Sequence, residues 1–440
     1  MTGVSATAAG AIADSRTQAS SRRGAGRHRR PPERRTSYSE VLAVREFRWL
    51  SASQALSFLG DQFAQVAIAI LVYGRTGSAF LTALTYALTY LPPIVGGPLL
   101  SSLADLYPRR RVMIACDLIR VLTVGLMAIR GLPLWGLGAL LFCTVLLGAP
   151  FSSARAALIP DILAPDQIRT GSAIGNITHQ ASQIIGFVAG AGVVALLGEY
   201  RTLGIDAGTF GISAFVAVLA VKRRPAPVRT SGSRPSLWTV SADGARMVFG
   251  RAQLRILLLF GWLAGFYVVP EGLAAPYAHS IGGHTVVVGA LMAAVPFGTV
   301  LGGLLIGRFV TPSTQLAGMG WLAILSCAPL IVCAWSPPLW LVLLLWVVAG
   351  MGGSFQLIAV PAFARSLTPE TRARAFGVAQ SGLYAAQGIG ILAGGVIANV
   401  MGAPIAVAAA GLVGVCVAAG LAMNWARLRG LVIASQRAQS

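Results

Sequence analysis

The stretch GGPLLSSLADLYPRRRVMI, residues 96–114, decides how the rest of the chain is interpreted. It places Asp105 and three consecutive arginines, Arg109 to Arg111, between two strongly apolar segments. Only 11% of the 440 residues are charged and the mean hydropathy is +0.73. An ordinary soluble domain carries about 25% charged residues. Short charged islands between apolar blocks of about twenty residues, the length that crosses a bilayer, indicate a polytopic membrane protein.

The apolar blocks form two sets of six, and each block is long enough for a tilted transmembrane helix. The predicted fold class is therefore an all-α integral membrane protein, with twelve transmembrane helices in two six-helix, pseudo-symmetric bundles. The predicted spans are residues 47–73, 79–104, 112–130, 133–153, 171–197 and 202–221, then 255–279, 285–310, 314–335, 338–362, 374–399 and 401–425.

The chain divides into five predicted segments. Residues 1–46 are rich in Ser, Ala, Gly and Arg and predict a disordered basic arm, because such a composition buries little apolar surface. Two helical bundles, residues 47–221 and 255–425, flank a polar linker at 222–254. Residues 426–440 form the predicted tail.

The two sets of spans contain an internal repeat. Residues 160–198 and 364–402 align without a gap. Shared small residues four positions apart are typical of transmembrane helices that pack closely. We therefore predict two homologous halves in parallel orientation, each with one such pair of glycines: Gly186 and Gly190, Gly390 and Gly394.

The net charge of +20 reports membrane orientation. If the amino terminus is cytoplasmic, 30 of the 34 basic residues lie on cytoplasmic segments. Arg75, Arg130 and Arg201 lie on the other side, and Arg120 lies within a span. This distribution obeys the positive-inside rule. It predicts a multi-pass protein of the cell membrane with both termini in the cytoplasm, contact with anionic lipids, and no nucleic-acid partner.

Residues for catalysis or metal binding are not recognisable in the sequence. The five cysteines lie in apolar blocks without a histidine at metal-ligand spacing. The sequence contains no cluster of a nucleophile with a base, no histidine-rich array and no phosphate-binding GxxxxGK[ST] loop. We expect neither an enzyme nor a resident metal or cofactor.

The opening stretch also resembles the signature loop of the major facilitator superfamily of secondary transporters, and the resemblance covers residues 47–425. The family pattern reads Gly-x-Leu-Ala-Asp-Arg-x-Gly-Arg-Arg. Three of its positions are replaced here, by Ser101, Leu106 and Pro108. Five positions match it: Leu103, Ala104, Asp105, Arg109 and Arg110.

The resemblance implies a gating role for this loop, which bridges the two halves in the family. Asp105 would face the amino end of the eleventh span, where the helix dipole favours an anion. Arg109 and Arg110 would engage nearby carboxylates and lipid phosphates. Independently of the resemblance, Arg155 at the end of the fourth span is a candidate contact for Asp105. The alternative is that the arginines only anchor the loop at the membrane surface.

Further segments resemble the exporter branch that includes enterobactin and macrolide efflux proteins. They are SFLGDQFAQVAIAILVYGRTGS at 57–78, ARAALIPDILAPDQI at 154–168 and GIDAGTFGISA at 204–214. This resemblance implies a monomeric exporter of a small amphiphilic molecule, driven by proton antiport with alternating access. The fifth span has Phe187 where the antiporter signature has proline, so proton-coupled uptake and a non-transporting sensor stay open as alternatives.

Charges inside a membrane are costly enough to suggest function, and two of the acids inside predicted spans lie well within them. Asp61 lies midway along the first span and Glu271 in the later half of the seventh. In this fold both spans line the central cavity. A carboxyl group deprived of water favours its neutral form, so that it can bind and release protons near neutral pH. We therefore predict Asp61 and Glu271 as proton-coupling residues, and the alternative for each is a packing hydrogen bond.

Other candidates follow from spacing and residue type. Asp117 and Arg120 are one helical turn apart and predict an ion pair. Asp206, near the outer end of its span, has Arg201 as a candidate partner. Aromatic and amide side chains inside the bundle predict a cavity for a hydrophobic or cationic substrate, with packing as the alternative for each: Phe58, Trp262, Tyr267 and Gln356.

Overall fold

The computed structural model describes residues 36–100, 103–225 and 237–437, and within these ranges its regular structure is helical. Three short helices, Tyr38–Ala43, Leu103–Leu106 and Leu237–Gly250, accompany the spans. The spans of the first half are Arg45–Thr76 (span 1), Ala79–Ala87 with Leu91–Leu100 (span 2), Arg109–Met127 (span 3), Leu134–Leu146 with Gly148–Ile162 (span 4), Ile168–Leu197 (span 5) and Glu199–Ala220 (span 6).

The second half has the same arrangement, with more interruptions. Its spans are Ala252–Trp262 with Ala264–Tyr267, Val269–Gly272 and Ala274–Ser280 (span 7), Thr285–Phe309 (span 8), Pro312–Leu325 with Ala328–Ile331 and the 3-10 turn Val332–Trp335 (span 9), Leu339–Gly353 with Gln356–Arg365 (span 10), Pro369–Met401 (span 11) and Ala403–Arg437 (span 12).

Length and composition suit these helices to a membrane. Ten of the spans in the described ranges are long and apolar enough to cross a bilayer. Span 2 contains a shorter apolar helix, Ala79–Ile94. Span 3 carries three arginines in its first turn, and Asp117 and Arg120 lie further along it. These charged residues lower its hydropathy. The predicted all-helical membrane fold is confirmed.

Helix ends differ from the predicted ones where basic segments begin. Span 5 begins at Ile168 and span 11 at Pro369, ahead of the predicted 171 and 374. Span 12 continues past 425 to Arg437. Hydropathy detects only the part of a helix in hydrocarbon, whereas backbone hydrogen bonds continue into the polar headgroup region.

The predicted disordered arm contains a short helix at its end. Residues 38–43 are helical, and the Ser37 side chain accepts a hydrogen bond from the backbone N–H of Ser39. Val41 is fully buried and packs with Phe47 and Leu163. Disorder is therefore the wrong prediction for this part of the arm, because one apolar residue is anchored in the bundle. Residues 1–35 of the arm lie outside the described residues.

Packing within each half follows one plan. Span 1 packs on spans 5 and 6, and span 7 packs on spans 11 and 12. The repeated glycines lie at these contacts. A Cβ at Gly186 would approach Gln62 Cβ to 2.6 Å, and one at Gly394 would approach Val269 Cγ1 to 2.5 Å. Such spacing leaves no room for a side chain, so helices of each half approach as the repeat predicts.

The two halves meet at one end of the molecule. We call the end where span 1 begins and span 12 ends the terminal face, and the other end the opposite face. Span 5 packs on span 8, and span 11 packs on span 2. Gly289 lies against Ala191 near the opposite face, and Gly395 lies within 2.5 Å of Ala83 when a Cβ is added. Ala191 and Gly395 are equivalent positions of the repeat, so the interface has the same twofold pattern as the halves.

Two glycines of span 11 test the packing of spans 7 and 11 within the second half. A Cβ at Gly390 would collide with the backbone oxygen of Gly265, whereas a Cβ at Gly377 meets nothing within 4 Å. We expect Gly390→Ala to destabilise the protein by about 1–3 kcal/mol through overpacking. Gly377→Ala should stabilise it by about 0.5–1 kcal/mol, because alanine is the better helix former. Equilibrium unfolding in mixed micelles measures both, and equal effects would contradict the packing.

Candidate functional site

Glu271 lies at the interface of the two halves. Its Oε2 accepts a hydrogen bond of 2.9 Å from the hydroxyl of Tyr86 on span 2. Both side chains are buried, at 6% and 5% exposure. A carboxyl group and a phenol from opposite halves therefore satisfy one another away from solvent.

The short helices of span 7 fix the position of Glu271. Val269–Gly272 is a single turn with proline in its first positions, and Leu273 interrupts the span again. Pro270 lacks an N–H donor, so a continuous helix would lose a hydrogen bond there. Gly272 lies against Ile391 of span 11, where a Cβ would come within 2.6 Å. The acid thus sits on an irregular segment pressed against span 11.

Tyrosines surround this carboxyl group. Tyr90 and Tyr267 lie within electrostatic range of Glu271. The ring of Tyr90 lies 6.0 Å from that of Tyr86 and 6.3 Å from that of Tyr384 on span 11. In the described part of the chain, no basic side chain interacts with Glu271. The site therefore offers neutral hydrogen-bonding groups to the acid, without a counter-ion.

The four predicted cavity residues occupy three separate places. Tyr267 accepts a hydrogen bond from Gln356, which joins spans 7 and 10 beside the tyrosines. Trp262 donates to the backbone oxygen of Ala379 at 3.1 Å, so it packs on span 11. Phe58 forms an edge contact with His179 at 4.8 Å inside the first half.

An apolar cavity lies next to the tyrosine site. It has a volume of about 190 Å³ and lies between spans 2 and 11. Tyr384 is shared between the cavity wall and the tyrosine group. The remaining wall is apolar, so the cavity suits a hydrocarbon or aromatic group, with these residues among its lining: Leu84, Leu88, Ile389 and Leu392.

Asp61 lies in a second group of charges, inside the first half. It interacts electrostatically with Arg120 of span 3, and Asp206 of span 6 interacts with both. Gly60 packs against the carboxylate of Asp206, which shows how closely spans 1 and 6 approach. The structure therefore does not bring Asp61 and Glu271 together.

Arg120 is the cation of this group. Its guanidinium lies 5.0 Å from the ring centre of Phe210, and its Nε donates to the backbone oxygen of Thr144 at 3.2 Å. Because the guanidinium turns towards span 4, it forms no ion pair with Asp117, contrary to the spacing argument. Asp206 is buried and forms no ion pair with Arg201 in the described ranges.

The loop between spans 2 and 3 is bound to the first half. Arg109 forms an ion pair with Asp161 at the end of span 4 and donates to the backbone oxygen of Ala157 at 2.8 Å. Arg110 donates to backbone oxygens of residues 217 and 218, at the carboxyl end of span 6, where the helix dipole favours a cation. The side chain of Asp105 lies outside the described residues.

Arg155 of span 4 is a buried cation with 8% exposure. Its Nε has no hydrogen-bond partner among the described residues. The contact expected between Arg155 and Asp105 involves that undescribed side chain.

A group of hydrogen bonds at the terminal face, which we call the clamp, was not predicted from the sequence. Glu46 at the start of span 1 accepts two hydrogen bonds from Arg224, at 2.6 and 3.0 Å, and one from the backbone N–H of Lys222 at 3.0 Å. The Glu46 carboxylate raises the pKa of Arg224 above its usual range. Sequence gives no signal for this clamp, because the residues are far apart along the chain. It ties the start of the linker to the first half.

Metal binding has no counterpart in the described ranges. They contain no group of three or more His, Cys, Asp or Glu side chains placed to hold a metal ion.

Two six-helix halves with a buried acid at their interface define a membrane transport protein. The sequence pattern of the Major Facilitator Superfamily matches residues 50–312 and 271–437, and the chain belongs to this superfamily. The multidrug efflux pump Tap of Mycobacterium tuberculosis is 28% identical over 374 residues, which are 78% of this chain and 84% of Tap. Macrolide efflux protein A of Streptococcus pyogenes is 27% identical over 274 residues, 60% of this chain and 66% of that protein. The resemblance to the superfamily and its macrolide-exporter branch is confirmed.

Solved structures of other transporters have the same fold. A bacterial homologue of the human lysosomal transporter Spinster, inward-facing and unoccupied, aligns with a TM-score of 0.68 at 15% identity, covering 90% of this chain and 98% of that one. The nucleoside transporter NupG aligns with a TM-score of 0.67 at 17% identity, covering 86% and 99%. At these identities the likeness concerns the fold alone.

The charge group around Arg120 generates a stability test. Replacing Arg120 by methionine removes the cation that Asp61, Asp117 and Asp206 share, so we expect a loss of about 3–5 kcal/mol in unfolding free energy. Arg130→Met removes an exposed arginine and should change stability by about 0.5 kcal/mol or less. Unfolding in mixed micelles compares the two, and equal stabilities would mean that the acids do not depend on Arg120.

Proposed function

We propose that this protein is a secondary exporter of small amphiphilic molecules, such as a drug, an antibiotic, a siderophore or another secondary metabolite. The observation that carries the proposal is the match to a named multidrug efflux pump over 84% of that pump's length. An apolar cavity beside hydroxyl groups at the interface of the halves supports an amphiphilic substrate. The binding path lies between two halves of one chain, so a monomer suffices.

Proton antiport supplies the driving force in this proposal. Glu271 is the acid at the interface, where it alternates between solvent on the two sides as the halves rock. Asp61 is the second coupling acid, and the nearby charges of Arg120 and Asp206 connect its proton to the packing of spans 1, 3 and 6. Both acids lie within membrane spans, where little water is available to solvate a charge, and this position supports a role in proton coupling.

The terminal face is cytoplasmic in this proposal, and the protein lies in the cell membrane. Arg45, Lys222 and Arg224 line a groove at that face beside the exposed rings of Trp49 and Phe215. Bases next to apolar surface suit the headgroups and chains of anionic lipids. The halves at 47–221 and 255–425 rock about the linker at 222–254, whose beginning is held by Glu46.

The loop between spans 2 and 3 is the gate in this proposal. Arg109 and Arg110 hold the loop on spans 4 and 6. In this proposal Asp105 contacts the second half when the terminal face closes. Arg155 neutralises Asp105 in that state.

Efflux from cells tests the proposal. We expect cells that make the protein to export ethidium or a macrolide, and a protonophore to abolish the export. Glu271→Gln and Asp61→Asn should each lower the rate by about tenfold or more, because neither amide can exchange a proton.

Asp243→Asn serves as the matched control, since Asp243 is an exposed acid of the helix Leu237–Gly250. It should export like the parent protein. Equal accumulation in all strains, with the protein present in the membrane, would exclude these substrates and direct the search to uptake assays. Export that persists with protonophore would contradict antiport.

A further inference from the structure

The Tyr86–Glu271 hydrogen bond joins the two halves near the opposite face. Among the described residues, hydrogen bonds between the halves occur at two places, Tyr86–Glu271 and Ser78–Asn399. The second pair is exposed, with a distance of 3.1 Å, and competes with water. The first is buried and involves an ionisable acceptor. It is therefore the polar contact at this interface whose strength changes when a proton binds.

We propose that Tyr86 is a positioning residue for proton coupling, which holds the opposite face closed while Glu271 is ionised and releases it when Glu271 is protonated. This inference rests on the proposed antiport function, and it adds Tyr86 as the partner of Glu271 in that function. The tyrosine itself neither binds the transported proton nor changes its charge.

The direction follows from hydrogen-bond chemistry. A hydroxyl that donates to a carboxylate makes a charge-assisted bond, about twice as strong as one between neutral groups. Protonation of Glu271 leaves only the weaker neutral bond to Tyr86. Closure of the opposite face and protonation of Glu271 therefore oppose one another, and the opposition is reciprocal.

The surroundings of Glu271 contain no group that replaces Tyr86. The ionisable side chains that interact with it are phenols, Tyr90 on span 2 and Tyr267 on its own span, and the ring of Tyr384 on span 11 contacts that of Tyr90. No basic side chain from spans 2, 7, 8, 11 or 12 interacts with it in the described ranges. Without a counter-ion, the donated hydrogen bond from Tyr86 is the main stabilisation that the carboxylate receives.

Tyr86 is held rigidly enough for this task. Tyr86 lies in the last turn of Ala79–Ala87. Its backbone oxygen accepts two hydrogen bonds from Thr89, one from the backbone N–H at 3.0 Å and one from the side-chain hydroxyl at 2.7 Å. Span 2 packs on span 11 along the same interface. A rigid-body rotation of the first half thus carries the hydroxyl away from Glu271.

The sequence of events fits export. With the opposite face open to the outside, Glu271 has lost Tyr86 and binds a proton. Closure brings the Tyr86 hydroxyl back to Glu271, which favours release of the proton on the terminal side. A proton is thereby moved inward for each cycle that carries substrate outward.

Distances between spin labels at the opposite face test the proposal without a substrate. Labels are attached at Arg201→Cys and His284→Cys, both exposed, in a background with the exposed Cys143 and Cys416 changed to serine. In the parent protein we expect a shift towards longer distances between about pH 8 and about pH 5, as carboxyl groups bind protons.

The Tyr86→Phe variant keeps the ring and removes the donor. We expect its ratio of open to closed forms at about pH 8 to rise about tenfold, and its response to pH to shrink accordingly. Glu271→Gln should lose most of the pH response, with a ratio close to that of the acidified parent. Tyr200→Phe, which removes a hydroxyl away from the interface, should behave like the parent.

A Tyr86→Phe variant with the parent's ratio and full pH response would overturn the proposal. So would a Glu271→Gln variant that responds to pH as strongly as the parent, because another group would then be the switch. Since no substrate is added, the experiment separates this inference from the export proposal. A reduced pH response in Tyr86→Phe supports the proposed role of Tyr86 even if cells show no efflux.

Discussion

A buried carboxyl group costs free energy unless polar groups surround it, and at Glu271 those groups come from both halves of the molecule. Tyr86 and Tyr90 lie by the acid from the first half, whereas Tyr267 belongs to the second. The site is therefore complete only while the halves are in contact near the opposite face. Any motion that separates them there changes the solvation of Glu271, which links the acid to the arrangement of the whole bundle.

The duplicated architecture places this acid where the contact is tight. Gly190 and Gly394 bring the fifth helix of each half against its first, and the next residues, Ala191 and Gly395, meet the other half. One short motif thus fixes both the packing within a half and the packing between halves. The same glycines hold each half together and join the halves near the opposite face, an arrangement that suits rocking of one half against the other.

Sequence predicted the fold well, because hydropathy, arginine distribution and glycine spacing are local or repetitive signals. It also indicated that Glu271 is buried in a span, since an acid inside an apolar block is conspicuous, and its role in coupling stays a prediction. It gave no sign of the hydrogen bond from Tyr86 to Glu271, although Tyr86 and Tyr90 are four residues apart in one predicted span. Long-range partners have no local signature, and the same holds for the clamp at Glu46. The breaks in span 7 and the turn of Arg120 towards span 4 depend on packing that a linear pattern does not contain.

The central claim is that a proton gradient drives substrate across the membrane, and transport into proteoliposomes tests it most directly. Ethidium keeps its charge at all relevant pH values, so its movement does not follow from pH partitioning. We predict that purified protein moves ethidium towards the more acidic compartment when a gradient is imposed, with protons moving the opposite way. Equal ethidium movement with and without the gradient would contradict it.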